Sequence, residues 1–280
     1  MSLDSALRYL NISRSTYYYK GVEMVKERAS WRLDPQLAAA LKELQGYELT
    51  LGYRKLTKYL RRKCRQVWNK KKVYRHMKRL GLLQPKRIKR RWIRNRRLAS
   101  YCALQSNVRW EADLAIVPTQ MGPLNLFIIE DTCDRELISG QMGLECGAAQ
   151  AEAVLAEALR KRFGKESVQG LSLRLRVDRG CQFTAKDFIG YAQECGVEVE
   201  YCGVQTPNDK PYIESFISCY KNEEVYRNQY EDYFQEHEGW KRYVLWYNNE
   251  RPHGSLDDLS PLQFRALCHR VSKYPLAQKN

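Results

Sequence analysis

Three acidic residues, Asp113, Asp178 and Glu214, are the candidates for chemistry in this 280-residue chain. Each is predicted to point away from the apolar face of its strand or helix, and 35 residues separate Asp178 from Glu214. Three clustered carboxylates repel one another unless divalent cations neutralise them, and oxygen ligands suit Mg²⁺ or Mn²⁺. Two such ions about 3.5 to 4 Å apart would activate a water or a 3′-hydroxyl for in-line phosphoryl transfer. A single Asp is more often a surface group or a helix cap, so the prediction depends on the three together.

The elements that must position these carboxylates alternate between strand and helix patterns from residue 108 onward. Asp113 lies in the first predicted strand, opposite the apolar even-numbered residues, and Asp178 ends the fourth. The first three strands are expected to form an antiparallel meander. The predicted elements are strands at 108–116, 124–129 and 136–144, a helix at 148–163, a strand at 171–178, a helix at 185–194 with Thr184 as its N-cap, and a strand at 197–202.

Glu214 belongs to a helix predicted to begin near Pro211, because proline is compatible with the first turn. The apolar stripe of this helix consists of Ile213, Phe216, Ile217 and Tyr220. Packing of that stripe on the sheet leaves Glu214 on the edge that faces away. Lys221 lies about 10 Å further along the axis, on the same face as Glu214.

Positive charge is concentrated in the first third of the chain. Residues 1–107 contain 28 Lys and Arg but 6 Asp and Glu, whereas residues 108–280 contain 20 and 26, and the formal net charge of the whole chain is +16. This density predicts a polyanionic partner for the N-terminal part. A nucleic acid is favoured over a membrane because no segment pairs a basic face with a wide apolar one. A solvated basic surface is the alternative.

Two segments of this basic third have helix-turn-helix patterns. The first, at 1–30, is a partial motif in which Ser13 caps a short helix. That helix would carry Arg14 and Tyr17 to phosphates and base edges. A plain helical hairpin fits the same pattern.

The second segment, at 31–84, is predicted to be a helix-turn-helix DNA-binding domain with helices at 34–44, 53–62 and 70–80. The third helix has Asn69 as its N-cap and Gly81 just beyond its end. Its inward side is apolar. Its remaining surface carries the residues predicted to bind DNA, which are Lys70, Lys71, Lys72, Arg75 and Arg79.

The segment at 85–107 is predicted to be a basic linker arm. Eight of the 13 residues from 85 to 97 are Lys or Arg, and a tryptophan lies among them. Such a segment would lie along phosphates and order only on binding. The residues predicted to contact DNA here are Arg90, Arg91, Trp92 and Arg94.

Composition argues against several other classes of protein. An apolar fraction of 44% is too high for a disordered chain. The nine cysteines are scattered and only four histidines are present, so zinc ligands are not clustered and reduced thiols are expected. No apolar run reaches the roughly 18 residues of a membrane span, and the N-terminus lacks the features of a signal peptide. We therefore predict a cytoplasmic protein.

Five motifs closely resemble those of the retroviral-integrase superfamily and, more narrowly, of the second-frame (OrfB-type) transposases of insertion sequence family 3. The separation of 35 residues between Asp178 and Glu214 is that family's own spacing. The resemblance covers nearly the whole chain. The motifs are Gly52-Tyr53-Arg54-Lys55, Trp110-x-x-Asp113, Asp178-Arg179-Gly180-x-Gln182, Glu214-Ser215-Phe216 with Lys221, and Tyr247-Asn248-x-x-Arg251-x-His253.

The resemblance implies an α/β ribonuclease-H-like (integrase) catalytic core at 108–230, after the N-terminal all-α helix-turn-helix domains and before a C-terminal helical extension at 231–280. In such a core the first and fourth strands are neighbours, so Asp113 and Asp178 would meet and the later helix could bring in Glu214. The implied activity is DNA transposition, in which the enzyme cleaves at the transposon ends and the freed 3′-hydroxyl attacks a second strand. The three carboxylates would hold two Mg²⁺ or Mn²⁺ ions per active site.

The same resemblance suggests contacts to the substrate. Lys221 would contact the end of the transposon DNA, and Arg179 is predicted to bind DNA beside Asp178. Lys210 replaces an amide that the family usually has close to the site, so it is expected to affect substrate contact rather than catalytic competence.

The C-terminal segment is open to two interpretations. Arg251 and His253 would either bind phosphate or lock the turn after the helix. Four aromatic residues at roughly helical spacing are interpreted as core packing rather than as platforms for base stacking. They are Trp240, Tyr243, Trp246 and Tyr247.

The expected partners are double-stranded transposon ends and target DNA, in a bacterial or archaeal nucleoid. At least a homodimer is expected, because two ends must be held together. The chain begins almost inside its first helix-turn-helix, which suggests a first-frame partner protein or a frameshift fusion. Two rival functions remain: a nuclease or resolvase of the same fold without strand transfer, and a catalytically silent DNA-binding regulator.

Overall fold

The computed structural model describes residues 2–18, 33–84, 103, 105–203 and 210–273. Most of the predicted basic arm lies outside these ranges, as does the loop that immediately precedes Lys210. The predicted DNA contacts that therefore fall outside the described residues are Arg90, Arg91, Trp92 and Arg94.

Two short helices begin the described chain, and both are capped by serine. α1 (Leu3–Tyr9) follows Ser2 and α2 (Arg14–Tyr17) follows Ser13, and each serine hydroxyl accepts a hydrogen bond from a backbone amide of the first turn. Such a cap satisfies one of the amides that have no partner within the helix. The predicted cap at Ser13 is therefore confirmed.

Three longer helices form the predicted three-helix unit. They are α3 (Pro35–Lys42), α4 (Tyr53–Cys64) and α5 (Lys70–Arg79). The Asn69 side chain caps α5 as predicted. Gly81 lies just past its end with φ of +70°, a left-handed conformation that glycine adopts without steric cost.

A five-stranded mixed sheet follows, and it confirms the predicted arrangement. The order across the sheet is β3-β2-β1-β4-β5; β1, β2 and β3 form an antiparallel meander, and β4 runs parallel to both β1 and β5. The first and fourth strands are therefore neighbours, as a ribonuclease-H-like sheet requires. The strands are β1 (Arg109–Thr119), β2 (Gly122–Asp131), β3 (Leu137–Gly143), β4 (Arg174–Val177) and β5 (Glu198–Tyr201).

The helices predicted at 148–163, at 185–194 and from Pro211 are present, with one correction to a cap, and the short helix α7 (Cys181–Thr184) was not predicted. The helices of the α/β part are α6 (Ala148–Phe163), α7, α8 (Lys186–Glu194), α9 (Pro211–Tyr220), α10 (Tyr233–Asn249) and α11 (Pro261–Lys273). The prediction that Thr184 is the N-cap of α8 is wrong. Its backbone amide donates to the Gly180 carbonyl within α7, so Ala185 takes the extended conformation of the cap instead. No helix in the described ranges is long and apolar enough to span a bilayer.

Hydrophobic cores cover both faces of the sheet. One face packs against α6, α7 and α8 around Trp110 and Phe188. The other packs against α9 and α10 around Val117, Ile128 and Phe216. The α/β part therefore has three layers, with helices on each side of the sheet.

Asp113 lies on the second of these faces, because side chains alternate along a strand and Ala115 and Val117 are buried there. The alternation of apolar and polar residues in the sequence predicted that the side of β1 with Asp113 faces away from the core. Ile116, one of the apolar even-numbered residues on the opposite face, is 59% exposed, so the first core does not extend to this part of β1. Asp113 is consequently a polar group at the edge of a packed layer.

The aromatic residues of α10 join the helical domain to the α/β part. Tyr47, in a 3-10 turn at Gly46–Thr50, packs against Tyr243 and Trp246 of α10 with ring centroids 5.5 and 5.0 Å apart. Tyr247 packs edge-on against Phe216 of α9 at 4.8 Å. These contacts confirm that the aromatic residues of α10 are core. They also place α3, α4, α5 and the second sheet face in one continuous cluster.

A buried acid in α10 gives this cluster a pH dependence. Burial raises the pKa of Glu236 to about 7, and the Tyr220 hydroxyl donates a hydrogen bond to its carboxylate. The folded protein therefore retains a proton that the unfolded chain loses near pH 4.5, so the contribution of Glu236 to stability falls as pH rises toward 7. Replacing this acid with a neutral acceptor should remove that loss.

We expect Glu236→Gln to raise the free energy of unfolding at about pH 8 by about 2 kcal/mol more than at about pH 5, since one pKa unit corresponds to roughly 1.4 kcal/mol. Glutamine keeps an acceptor for the Tyr220 hydroxyl. Urea unfolding at the two pH values measures the difference. Glu238→Gln, an exposed position on the same helix, is the control and should show no such gain. An equal effect of Glu236→Gln at both pH values would contradict the assignment.

Candidate active site

Parallel pairing of β1 and β4 brings the two aspartates to the same end of the sheet. Glu111 pairs with Arg176 in this register, so Asp113 and Asp178 each follow two residues later. The predicted meeting of the two residues depends on this register. The side chain of Asp113 is 16% exposed and that of Asp178 is 45% exposed, so the pair lies at the border between the core and solvent.

Each aspartate is oriented by a backbone amide. Oδ1 of Asp113 accepts a hydrogen bond from the amide of Leu114 at 3.0 Å, and Oδ1 of Asp178 accepts one from the amide of Gly180 at 2.8 Å. The second bond closes a turn just after β4, where the chain leaves the sheet. Both carboxylates are thereby held in a defined orientation.

A lysine ammonium group lies between the two carboxylates. Nζ of Lys210 is 2.9 Å from Oδ1 of Asp113 and 3.7 Å from Oδ2 of Asp178, and it donates to the Ala112 carbonyl at 3.1 Å. Only 6% of Lys210 is exposed. The ammonium group stands where a cation is stabilised by both aspartates, so the site has the chemistry of a cation-binding site.

Glu214 lies on α9, and buried Glu111 fixes the start of that helix. Pro211 occupies the first turn, and the backbone amide of Ile213 donates to Oε2 of Glu111 at 3.0 Å. This bond satisfies an amide of the first turn that has no partner within the helix. Glu214 itself is exposed, one residue beyond Ile213. The strand that carries Asp113 therefore also positions the helix that carries Glu214.

The role of Glu111 is not predicted by the sequence patterns. Burial raises the pKa of Glu111 to about 7, against the opposing effects of the bond from Ile213 and of nearby Arg176. The available signal is its position two residues before Asp113, which places both side chains on one face of β1. A carboxylate inside a strand has no local partner that would reveal its role.

The three predicted oxygen ligands suit a divalent cation, but Glu214 lies apart from Asp113 and Asp178 in this structure. Two of the three predicted ligands converge on one cationic group, which is the arrangement expected where oxygen ligands hold Mg²⁺ or Mn²⁺. Within the described ranges, no group of three His, Cys, Asp or Glu side chains is close enough to hold a metal ion. The residues fit a cation between Asp113 and Asp178, with Glu214 on a neighbouring exposed helix face.

Arg251 and His253 are both buried, which favours their turn-locking interpretation. Arg251 donates to both carboxylate oxygens of Glu223, at 2.9 and 2.7 Å, and only 2% of the residue is exposed. Burial and neighbouring Arg251 lower the pKa of His253 to about 2, so its imidazole is neutral. The Glu223 carboxylate already uses the guanidinium that a phosphate would need.

Lys221 and Arg179 follow Glu214 and Asp178, respectively, along the chain. Lys221 begins a π-helical segment, Lys221–Val225, that continues from α9, and it is half-buried. Arg179 is exposed and its guanidinium lies 5.6 Å from the ring centroid of Tyr201. π-helical segments occur frequently at functional sites.

Most of the basic residues predicted on α5 are exposed. The inward side of α5 consists of Val73 and Met77, as predicted, and also of His76, which accepts a hydrogen bond from the Asp34 amide. Lys72 differs from its neighbours because its ammonium pairs with the Asp34 carboxylate, the N-cap of α3. The exposed residues of α5 predicted to bind DNA are Lys70, Lys71, Arg75 and Arg79.

The two residues predicted to bind DNA at the N-terminus are also exposed. Arg14 forms a bidentate pair with the Asp4 carboxylate, with both bonds at 2.8 Å. Tyr17 packs edge-on against Tyr18.

Known families and structures match this architecture. Residues 103–207 and 195–261 each match an Integrase core domain family, and residues 34–91 match an HTH-like domain family. The chain superposes on a chain of the simian T-cell lymphotropic virus intasome in complex with PP2A regulatory subunit B56 gamma. That superposition has a TM-score of 0.50 at 14% identity and covers 82% of this chain and 74% of the other.

Similar curated proteins come from bacterial insertion sequences. The chain is 24% identical to the putative transposase InsK for insertion sequence element IS150 of Escherichia coli K12, over 94% of this chain and 93% of that protein. It is 26% identical to the insertion element IS476 uncharacterized 39.2 kDa protein of Xanthomonas euvesicatoria, over 95% of this chain and 73% of that protein.

The fold and the position of its paired aspartates define an integrase core of the ribonuclease-H-like class, preceded by a helix-turn-helix domain. The chain belongs to the insertion sequence family 3 transposases of the second-frame (OrfB) type. It is therefore a DNA-binding enzyme that cleaves DNA and transfers strands.

Proposed function

We propose that this transposase cleaves transposon ends and joins them to target DNA through an Asp-Asp-Glu active site formed by Asp113, Asp178 and Glu214. The observation that carries the proposal is the position of the Lys210 ammonium group, which both aspartates contact. Oxygen atoms that stabilise one cation at this position can hold another. Glu214 would complete the set from the first turns of α9.

The group that these residues would hold is Mg²⁺ or Mn²⁺, with two ions per active site. When bound, such ions activate the attacking oxygen and stabilise the leaving oxygen of an in-line displacement. The chain's own contribution is positional. Backbone amides orient Asp113 and Asp178, and Glu111 fixes the start of α9, so these contacts hold the two aspartates and the helix that carries Glu214 in defined positions.

The basic helices would hold the DNA in this scheme. The exposed basic side of α5 presents charge suited to phosphates. The helical domain that contains α5 shares a hydrophobic core with α10, through the contacts of Tyr47 with Tyr243 and Trp246. Lys221, Arg179 and Lys210 would contact the strand at the site itself. The predicted arm at 85–107 would extend the basic surface along the duplex.

The proposed assembly contains at least two copies of the chain, because both transposon ends must be held for joining. One copy's helical domain would read the end that the other copy cuts. A first-frame protein, separate or fused, would complete end recognition. The cellular location proposed is the cytoplasmic nucleoid of a bacterium or archaeon.

Strand transfer with labelled transposon-end DNA tests the proposed reaction. With Mg²⁺ we expect cleaved ends and joined products, and with excess EDTA we expect neither, because two-metal transfer has no side-chain substitute for the ions. Cleavage without joined product would favour the rival nuclease or resolvase. Unchanged joining in EDTA would exclude the metal-dependent mechanism.

Replacing Lys71 and Arg75 together with Ala should weaken DNA binding without changing the fold. Both residues are exposed on α5, so we expect about a 10-fold rise in Kd. The salt dependence should become shallower by roughly one unit for each phosphate that the variant no longer binds. Fluorescence anisotropy at several salt concentrations measures both quantities. The control is Lys165→Ala, an exposed lysine of the catalytic part, and equal salt slopes for the double variant and the wild type would contradict a phosphate role for α5.

A further inference from the structure

Lys210 is a buried lysine whose ammonium group lies between two proposed metal ligands. Its Nζ is 2.9 Å from Oδ1 of Asp113 and 3.7 Å from Oδ2 of Asp178. We propose that Lys210 is the built-in counter-ion of the metal-free active site, and that the first divalent cation binds by displacing its ammonium group. This inference rests on the proposed metal-dependent function.

Charge favours this arrangement as long as no metal is bound. Two carboxylates that converge where β4 ends beside β1 repel each other, and a nearby cation removes that repulsion. A buried ammonium is itself costly unless it is paired, and Lys210 pairs with both acids and with the Ala112 carbonyl. Each partner therefore stabilises the other in the absence of metal.

The same geometry makes the lysine and a metal ion competitors. Both need the oxygen atoms of Asp113 and Asp178 that face the gap between the two strands. A divalent ion at that position would lie within a few ångström of Nζ, where two positive charges repel strongly. The ion and the ammonium group therefore exclude each other, and metal binding includes the cost of moving Lys210.

Local structure allows Lys210 to move without disturbing α9. Lys210 is the N-cap residue, and its carbonyl, not its side chain, accepts the first helical hydrogen bond from the Glu214 amide at 3.2 Å. The backbone amide of Ile213, one residue earlier, donates to the carboxylate of Glu111. The helix start therefore does not depend on the ammonium group. Once released beside half-exposed Asp178, that group would lie where a DNA phosphate approaches the site.

Binding of Mn²⁺ alone to the full chain, without DNA, tests the proposal by a readout other than activity. Free Mn²⁺ is followed by electron paramagnetic resonance for the wild type, Lys210→Gln, and the charge-matched control Lys165→Gln. Glutamine can still donate to the Ala112 carbonyl but carries no charge. Asp113→Asn combined with Lys210→Gln identifies which binding belongs to this site.

We expect Lys210→Gln to bind Mn²⁺ about 10- to 100-fold more tightly than the wild type, because removal of a unit charge at this distance is strongly felt at an effective dielectric near 20. Lys165→Gln should match the wild type, and the double variant should lose the tight binding. Equal affinity of Lys210→Gln and wild type would overturn the counter-ion role while leaving the metal site intact. Absence of Asp113-dependent binding in every variant would overturn both the inference and the proposed metal site.

Thermal unfolding gives a second readout of the same competition, through stability rather than through free Mn²⁺. Without metal, Lys210→Gln should melt at a lower temperature than the wild type, since the two aspartates then repel. Saturating Mn²⁺ should raise its Tm more than that of the wild type. An equal Tm increase in both proteins would contradict competition between Lys210 and the ion.

Discussion

Asp113→Asn and Asp178→Asn should each lower the rate of strand transfer by at least about 10³-fold, because each removes a charged ligand from the site that we propose holds the metal ions. Glu214→Gln should have a comparable effect. Asparagine keeps an acceptor for the amide bonds of Leu114 and Gly180, so the local fold should persist. Single-turnover joining of pre-cleaved ends measures the chemical step directly.

DNA affinity separates loss of chemistry from loss of binding in these variants. We expect the Kd for end DNA to change by less than about threefold, because in the proposed scheme the basic helices, and not the carboxylates, would carry the phosphate contacts. Asp187→Asn, an exposed aspartate on α8, is the matched control and should retain full strand transfer. Full activity of Asp178→Asn would refute the Asp-Asp-Glu assignment and favour the rival function of a non-catalytic DNA-binding regulator.

Arg251→Ala should destabilise the protein by about 3 to 5 kcal/mol, since breaking a buried ion pair leaves an unpaired charge. Arg251 and Glu223 form two hydrogen bonds, and the Tyr243 hydroxyl donates to the same carboxylate at 3.0 Å. The guanidinium holds the pKa of Glu223 below its usual range despite burial. Without it, the buried carboxylate of Glu223, which belongs to the π-helical segment, would keep the hydrogen bond from Tyr243 but lose the cation paired with it. Urea unfolding at neutral pH measures the loss.

A double-mutant cycle with Glu223→Gln tests whether the role of Arg251 is to pair with Glu223 or to contact DNA. Neutralising Glu223 in the Arg251→Ala background should recover part of the lost stability, because the orphaned charge is removed. The rival role as a phosphate ligand makes a different prediction. If Arg251→Ala retained wild-type stability but bound end DNA far more weakly, the turn-locking role would be refuted.

Local patterns were sufficient wherever neighbouring residues decide the structure. The helix α6 has the predicted bounds, 148–163, because a continuous amphipathic stretch ends at a glycine. Ser13 and Asn69 cap their helices as predicted, since a cap needs only the next few amides. The misplaced cap at Thr184 shows the limit of this reasoning. Two helix starts lie close together there, and the amide of Thr184 bonds within the earlier one.

Long-range pairing was predictable only through the resemblance to a known family. The order of β1 beside β4 follows from the implied ribonuclease-H-like sheet, not from the spacing of residues along the chain. The structure supplies the register in which Asp113 and Asp178 reach one end of the sheet. The pairing of Arg251 with Glu223, 28 positions apart in the chain, had no signal at all in the sequence.

The sequence by itself determined the class of the protein, the three acidic residues that are candidates for chemistry and the basic character of the helical domain. Tertiary structure alone decided that Lys210 lies between two aspartates, that Glu111 caps α9, and that α3, α4 and α5 share a core with α10. The physical reason is the separation along the chain over which each interaction acts. Periodicity, capping and charge density depend on residues a few positions apart, whereas a cation's counter-ions are selected by how distant strands and helices pack.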